Sequence, residues 1–194
     1  MGSIDPAIPL PEDLEERLWR VMRVEVYCHR ERSLVMEGDV PGKAFYVVHG
    51  LVKVYAWCAD GYRYLYRIYR ENTIVALKCF MDQTVSAYDI VACKNSLLWS
   101  ISNEQMQKIY NDMEGMKEMA LKTAFSYSEA KEKLRTDLLV LPMDVRLLKF
   151  YKLFKGLYPA RTSPVKDEEI AAYLLLSIDV LRKARRRLKN EGLL

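Results

Sequence analysis

The spacing of apolar residues changes twice along the chain, and each change predicts a different kind of structure. From about Pro11 to Arg23, the residues Leu14, Leu18, Val21 and Met22 recur at helical spacing and predict a short amphipathic helix. Between Val24 and Ser100, short runs rich in Val, Tyr and Ile are broken by Glu37-Gly38-Asp39, Pro41-Gly42-Lys43, His49-Gly50, Asp60-Gly61 and Glu71-Asn72. Short strands punctuated by such turns predict an antiparallel sandwich or barrel. The Asp60-Gly61 pair, between Val52–Tyr55 and Tyr64–Ile68, predicts a hairpin with a type I′ turn, which needs positive φ at both central residues.

After Ser100 the strands stop. Asn103 is placed to cap a helix, and a long helix is predicted over about 114–139, free of proline and with Gly115 at its start. Met113, Met116, Ala120, Thr123, Tyr127, Ala130 and Leu134 alternate by three and four, a heptad-like seam. Such a seam needs a partner surface, either the chain's own sheet or, the better fit, the same helix of a second copy. In the second case Met116, Ala120, Tyr127 and Leu134 are the dimer contacts. Pro142 breaks the helix. Met143 to about Leu157 predicts another, with Leu147, Leu148, Tyr151 and Phe154 on one side, and Tyr158 to Pro164 reads as a loop.

Glu168 to Leu188 reads EEIAAYLLLSIDVLRKARRRL. Ile170, Ala171 and Leu174 fall on one face of a short helix, Leu176-Ser177 makes a turn, and Leu181, Ala184 and Leu188 share a face of a second helix capped by Ser177. Small Ala171 lets the two helices cross closely, as a helix-turn-helix requires. The second helix is expected to expose Asp179, Arg182, Lys183, Arg185, Arg186, Arg187 and Lys189. A helix of about 10–12 Å diameter fits the major groove of DNA.

Charge sharpens this picture. The chain carries 30 Lys/Arg against 26 Asp/Glu over 194 residues, a net of +4. Residues 140–194 hold 12 against 6, a net of +6, and the rest hold 18 against 20, a net of −2. A basic C-terminal segment on a slightly acidic body suits a polyanion, although a merely solvated helix face has the same composition. No stretch reaches the ~18 apolar residues of a membrane span, and Met1 to Leu10 does not read as a signal peptide. Cys28, Cys58, Cys79 and Cys93 form no CxxC pair and are expected to be ordinary thiols in a reducing, cytoplasmic setting.

Glu37-Gly38, then Phe45 to Val54 (FYVVHGLVKV), then Asp60-Gly61, followed by the C-terminal IAAYL…S…L…RR…L pattern, together resemble the Crp/Fnr family of bacterial regulators. The resemblance runs from about Val24 to the end. It implies an α+β fold: a cyclic-nucleotide-binding-like antiparallel β-roll (a double-stranded β-helix, jelly-roll-like), a long dimerisation helix and a C-terminal helix-turn-helix domain. The expected segments are 1–112 for the roll with flanking helices, 113–140 for the dimerisation helix and 141–194 for the DNA-binding domain, without a full wing. The implied partners are double-stranded DNA with a two-fold symmetric site, a second copy of the chain and, as a further candidate, RNA polymerase, with no membrane.

Departures from the family pattern bear on the ligand. Family members that bind cyclic nucleotides carry Gly-Glu and then Arg-Ser/Thr-Ala in a phosphate cassette. Here Ala76-Leu77 replaces Gly-Glu ahead of Lys78, and Val85 replaces the Arg beside Ser86. Losing a charge-assisted contact to a buried phosphate removes about 1.5–3 kcal/mol. Ala76, Leu77, Lys78, Val85 and Ser86 are therefore expected to form a degenerate effector pocket, with cyclic AMP not bound in the usual way, no cofactor and the effector unidentified. Lys78, Arg63 or Arg67 is either a substitute cation or a solvated surface charge. Tyr62, Tyr64, Tyr66 and Tyr69 either line an aromatic pocket or pack in the core. His29 and His49 are the only histidines, too few for a cupin-type metal site. With no Ser/His/Asp or Cys/His arrangement evident, an enzyme is not expected.

The DNA end departs too. Leu175 stands where the family favours a Gly with positive φ, at a cost of about 1 kcal/mol or more. Ser177, Ile178, Asp179, Arg182, Lys183 and Arg186 are the expected DNA contacts, with Ile178 on a thymine methyl and Lys183 on guanine. A β-roll that binds ligand or protein beside a helix-turn-helix that no longer reads DNA is the alternative, supported by Leu175 and Ile178. In the regulator reading, the state of the β-roll sets the angle of the paired long helices near Leu134 to Pro142.

Overall fold

The structure is a computed structural model and describes residues 12–27, 30–75, 78–112, 115–158, 161 and 163–194. Helix α1 (Glu12–Val21) leads into eight strands: β1 (Arg23–Tyr27), β2 (Arg32–Val35), β3 (Lys43–His49), β4 (Val52–Trp57), β5 (Arg63–Tyr69), β6 (Thr73–Val75), β7 (Asp89–Ala92) and β8 (Ser96–Ser102). A short helix, α2 (Lys78–Asp82), interrupts them. The strands form two four-stranded sheets, β1-β8-β3-β6 and β2-β7-β4-β5, with every pairing antiparallel. The alternation of apolar residues works as the pattern requires. Phe45, Val47, Val52, Val54, Ile90, Ala92 and Leu98 meet between the sheets and form the core of the roll.

Two turns differ from, or sharpen, the sequence reading. In the β4–β5 hairpin, Gly61 N donates to Cys58 O and Cys58 N donates to Tyr62 O. Only Gly61 has positive φ (78°), so this is a three-residue loop over 59–61 ending in one left-handed glycine rather than a two-residue I′ turn. At Gly50 (φ 84°) a Cβ would sit 2.6 Å from Ser96 Oγ, because Leu51 N donates to that hydroxyl and the hydroxyl donates back to Leu51 O. Only glycine fits that approach.

Helix α3 (Asn103–Asp112) begins one residue earlier than Asn103 as a cap implies. Ser102 is the cap: its hydroxyl accepts from Gln105 N, and Gln105 Oε1 accepts from Ser102 N, a reciprocal capping box. Helix α4 (Met116–Leu139) is the long helix, and Pro142 ends it at a corner before α5 (Met143–Leu153). α5 stops four residues short of Leu157 because Phe154 (φ −110°, ψ 72°) leaves the helical region and Gly156 (φ 90°) turns the chain. Two short helices finish the fold: α6 (Asp167–Tyr173) and α7 (Ile178–Asn190).

The C-terminal helices share one apolar core built from Leu147, Phe150, Phe154, Leu157, Ile170, Leu174, Leu181 and Leu188. That core is continuous with Leu51, Tyr55, Leu65, Ile68, Val91 and Cys93 on the outer face of the second sheet. The helices are therefore seated on the roll, not merely strung after it.

Candidate nucleic-acid interface

Three acidic residues open α6 and suit its positive N-terminal end: Asp167, Glu168 and Glu169. At the other end, Leu175 N donates to Ala172 O (3.2 Å) and Leu176 N to Ala171 O (2.9 Å). This pair of bonds is a Schellman motif, whose C′ residue is left-handed and usually glycine. Here the C′ residue is Leu175, at φ 53° and 66% exposed. The left-handed conformation expected from its place in the turn is present, on a residue poorly suited to it. The end of α7 has the same two bonds with glycine at the equivalent place: Gly192 N to Lys189 O and Leu193 N to Leu188 O, with Gly192 at φ 70°.

Ser177 caps α7, accepting from Val180 N at 3.3 Å. Leu181, Ala184 and Leu188 are buried at helical spacing against α5 and α6. Arg146 fixes the frame, donating to Leu174 O (2.9 Å) and Leu141 O (3.0 Å), which ties the corner after α4 to the turn before α7.

The opposite face of α7 is basic but unevenly free. Arg182 lies 3.2 Å from Asp167 and 3.9 Å from Glu168. Arg187 is bound to Asp144, which raises its pKa. Arg185, expected to be exposed, is only 11% exposed: it pairs with Asp167 at 2.8 Å and donates to the Tyr151 hydroxyl at 2.9 Å. It reaches back across α7 because Asp167 lies beside the helix. Among the described residues, Lys183, Arg186 and Lys189 are exposed and carry no ion pair. Asp179 and Val180 are exposed on the first turn, and Ile178 is half-buried.

The predicted effector pocket is placed only in part. Ala76 and Leu77 lie outside the described residues. Lys78 is exposed, 3.9 Å from Asp82 and over the Phe125 ring, and Val85 points to solvent. Ser86 is buried and occupied locally, its hydroxyl donating to Tyr88 O and accepting from Tyr88 N. Arg63 lies 3.5 Å from Asp89 and stacks on Tyr55. Arg67 is not the solvated surface charge that one reading allowed. At 16% exposure it bridges β5 to α4 through Ser128 (3.1 Å) and Glu132 (3.4 Å). The four tyrosines divide: Tyr62 and Tyr64 are exposed, Tyr66 stacks on Tyr88, and Tyr69 is in the roll core. His49 pairs with Glu71 at 2.6 Å, and His29 lies outside the described residues. Of the expected dimer contacts, the side chains of Met116, Ala120 and Tyr127 lie outside the described ones. Leu134 packs on the C-terminal core of its own chain.

Sequence reasoning missed a polar cluster at the seam between roll and helices. Lys53 in β4, 1% exposed, lies 3.0 Å from Glu169 Oε1 and also binds Glu31. The Tyr55 hydroxyl donates to the same Glu169 oxygen. Burial alone lowers the Lys53 pKa, but Glu31, Tyr55 and Glu169 together raise it above its ordinary value. Burial raises Glu169, and bonds from Tyr55, Lys166 N and Lys53 outweigh this and lower it. Burial pushes the Cys93 thiol beside them up to about 12. The apolar neighbours Val52 and Val54 mark β4 as a strand, but nothing local says what covers Lys53.

Residues 25–113 match the family of the cyclic nucleotide-binding domain. Solved structures extend the likeness to the whole fold. FixK2 from Bradyrhizobium japonicum aligns with a TM-score of 0.69 at 15% identity, over 89% of this chain and 86% of that one. The c-di-GMP-responsive global regulator CLP from Xanthomonas campestris gives 0.64 at 15% identity over 94% and 93%. A transcriptional regulator of the Crp/Fnr family from Eubacterium rectale gives 0.63 at 15% over 94% and 85%. This chain has the Crp/Fnr fold. Within that fold, α6 and α7 are the terminal helix pair, and the cyclic nucleotide-binding domain is the roll on which they sit. No curated protein matches the sequence.

Proposed function

We propose that this Crp/Fnr-fold chain is a transcription regulator that binds two-fold symmetric DNA as a homodimer through α7. In this reading residues 1–112 are the sensor, 113–140 the dimerisation helix and 141–194 the DNA-binding domain. The observation that carries it is the free basic face of α7. Among the described residues, Lys183, Arg186 and Lys189 have no ion-pair partner, on a helix whose other arginines are engaged by Asp144, Asp167 and Glu168. In this reading the capped first turn of α7, with Ser177, Ile178, Asp179 and Val180, enters a major groove, where Ile178 and Val180 suit thymine methyls and Lys183 suits guanine. Arg182 acts on phosphate only if it leaves Asp167.

Control by cyclic AMP in the usual mode is not part of this reading. Val85 faces solvent where a phosphate-binding Arg is needed, and the hydroxyl of Ser86 is committed to Tyr88.

The test is selection of bound duplexes from a random DNA library by the purified protein. A palindrome with half-sites about one turn (~34 Å) apart is the expected result. Lys183→Ala should then weaken the selected site about 5- to 150-fold, the ~1–3 kcal/mol of a base contact, and random DNA far less. Equal losses on both would remove Lys183 from base readout. No enrichment at low salt would mean either that an effector is required or that Leu175 and Ile178 have disabled the reader, and the second outcome favours a roll that binds ligand or protein beside a helix pair that no longer reads DNA.

A further inference from the structure

The sheet β2-β7-β4-β5 has two covered faces. Val52 and Val54 point into the roll, while Tyr55, Leu65 and Ile68 point into the cluster formed by α5, α6 and α7. Lys53 stands two residues from Tyr55 on the same strand, and its ammonium is buried beneath α6.

What α6 brings to it is Glu169, whose two oxygens have separate duties. Oε1 takes the Lys53 ammonium and the Tyr55 hydroxyl, while Oε2 accepts from Lys166 N at 2.7 Å and so caps α6 itself. One carboxylate thus joins the start of α6 to the roll. Glu31 holds the other side of the ammonium and is 44% exposed, which gives water a route to the cluster.

A buried ion pair adds little net stability, because desolvation offsets most of the attraction, yet it satisfies its partners in only one register. Lifting α6 off the sheet rehydrates Lys53 and Glu169 together. Such a contact fixes position strongly and opens readily.

We propose that Lys53, Glu31, Tyr55 and Glu169 form a latch that seats α6, and α7 with it, in one orientation on the roll, and whose opening lets the α6–α7 pair detach while the roll stays folded. The consequence for DNA rests on the function proposed above. With the latch closed, the two α7 helices of a dimer are held at one separation; with it open, they accept a range.

Native-state hydrogen exchange on the full-length chain tests the latch without DNA. In Glu169→Gln, which keeps an oxygen to cap Lys166 N, amides of α6 and α7 should exchange at least tenfold faster, with β4 and β5 unchanged. Tyr55→Phe, which removes a single hydroxyl, should act in the same direction and less. If both variants leave α6 within twofold of the parent, or speed helices and strands equally, there is no latch and the chain opens as one unit.

A second measurement uses duplexes carrying the selected half-sites moved apart by one or two base pairs. The parent should lose at least tenfold in affinity and Glu169→Gln less than threefold. Equal losses would overturn the orienting role. If the parent binds no duplex, the DNA reading fails, and the exchange result still decides the latch.

Discussion

Leu175 provides a sharp test of whether the turn between α6 and α7 is the left-handed Schellman corner described above. The comparison is between Leu175→Gly and Leu175→Ala, two variants that lose the same exposed side chain and differ by one methyl group. At φ 53° an alanine Cβ crowds the following carbonyl, and an L-residue in this region is disfavoured by about 1–2 kcal/mol. Glycine escapes that penalty but has a more flexible unfolded chain, which takes back about 0.4–1 kcal/mol. Leu175→Gly should therefore be the more stable variant by about 0.5–1 kcal/mol. With a urea slope of about 2 kcal/mol/M, its midpoint should lie about 0.3–0.5 M above that of Leu175→Ala. The same exchange three residues earlier should have the opposite sign. Ala172 lies within α6, where Ala172→Gly should lose about 1 kcal/mol. Urea unfolding followed by far-UV circular dichroism reads all three. A Leu175→Ala midpoint at or above that of Leu175→Gly would mean that residue 175 is not left-handed in solution.

Further outcomes follow from named contacts. Ser177→Ala removes the oxygen that accepts from Val180 N and should destabilise the chain by about 1 kcal/mol, read as a lower urea midpoint. Glu169, whose pKa is held below the ordinary 4.5, contributes stability that is present above that value and is lost as the pH falls through the lowered one. Protection of α6 amides should accordingly fall further on acidification below about pH 4.5 in the parent than in Glu169→Gln, which keeps the ion pairs of Glu31, Asp167 and Glu168; equal falls in both would remove the Glu169 carboxylate from the contact.

Most of the fold was legible because its signals are local. Glu37-Gly38-Asp39 and His49-Gly50 mark turns by residue chemistry alone, and IAAYL…L…A…L marks two helices by spacing alone. The errors fall where geometry depends on one residue more than the pattern shows. Asp60-Gly61 fits a two-residue turn, but the bond from Cys58 N to Tyr62 O closes a three-residue loop over 59–61 instead. Asn103 is a good cap, yet Ser102 with Gln105 satisfies two backbone groups instead of one. On α7, charge was legible and its availability was not. Arg182, Arg185 and Arg187 look alike in sequence, and only the positions of Asp144, Asp167 and Tyr151 show that they are engaged.

Lys53 is the clearest case of a residue whose role no local pattern can reveal. In VKVYAW it alternates with valines, so period-two reasoning sends its ammonium to solvent, and for an isolated roll that inference is sound. Its burial depends on a helix 116 residues further along the chain that delivers Glu169 to the same spot. Neither residue is unusual alone: a lysine on a strand and a glutamate at the third position of a helix are both common. A buried lysine must have a partner, and this partner is also the cap of the helix that covers it, so the burial of Lys53 and the placement of α6 have one cause. The same carboxylate that starts α6 also ties α6 to β4. Any force on the roll that moves β4 or Glu31 therefore reaches α6 and α7 through this carboxylate as well as through the apolar core they share with the sheet.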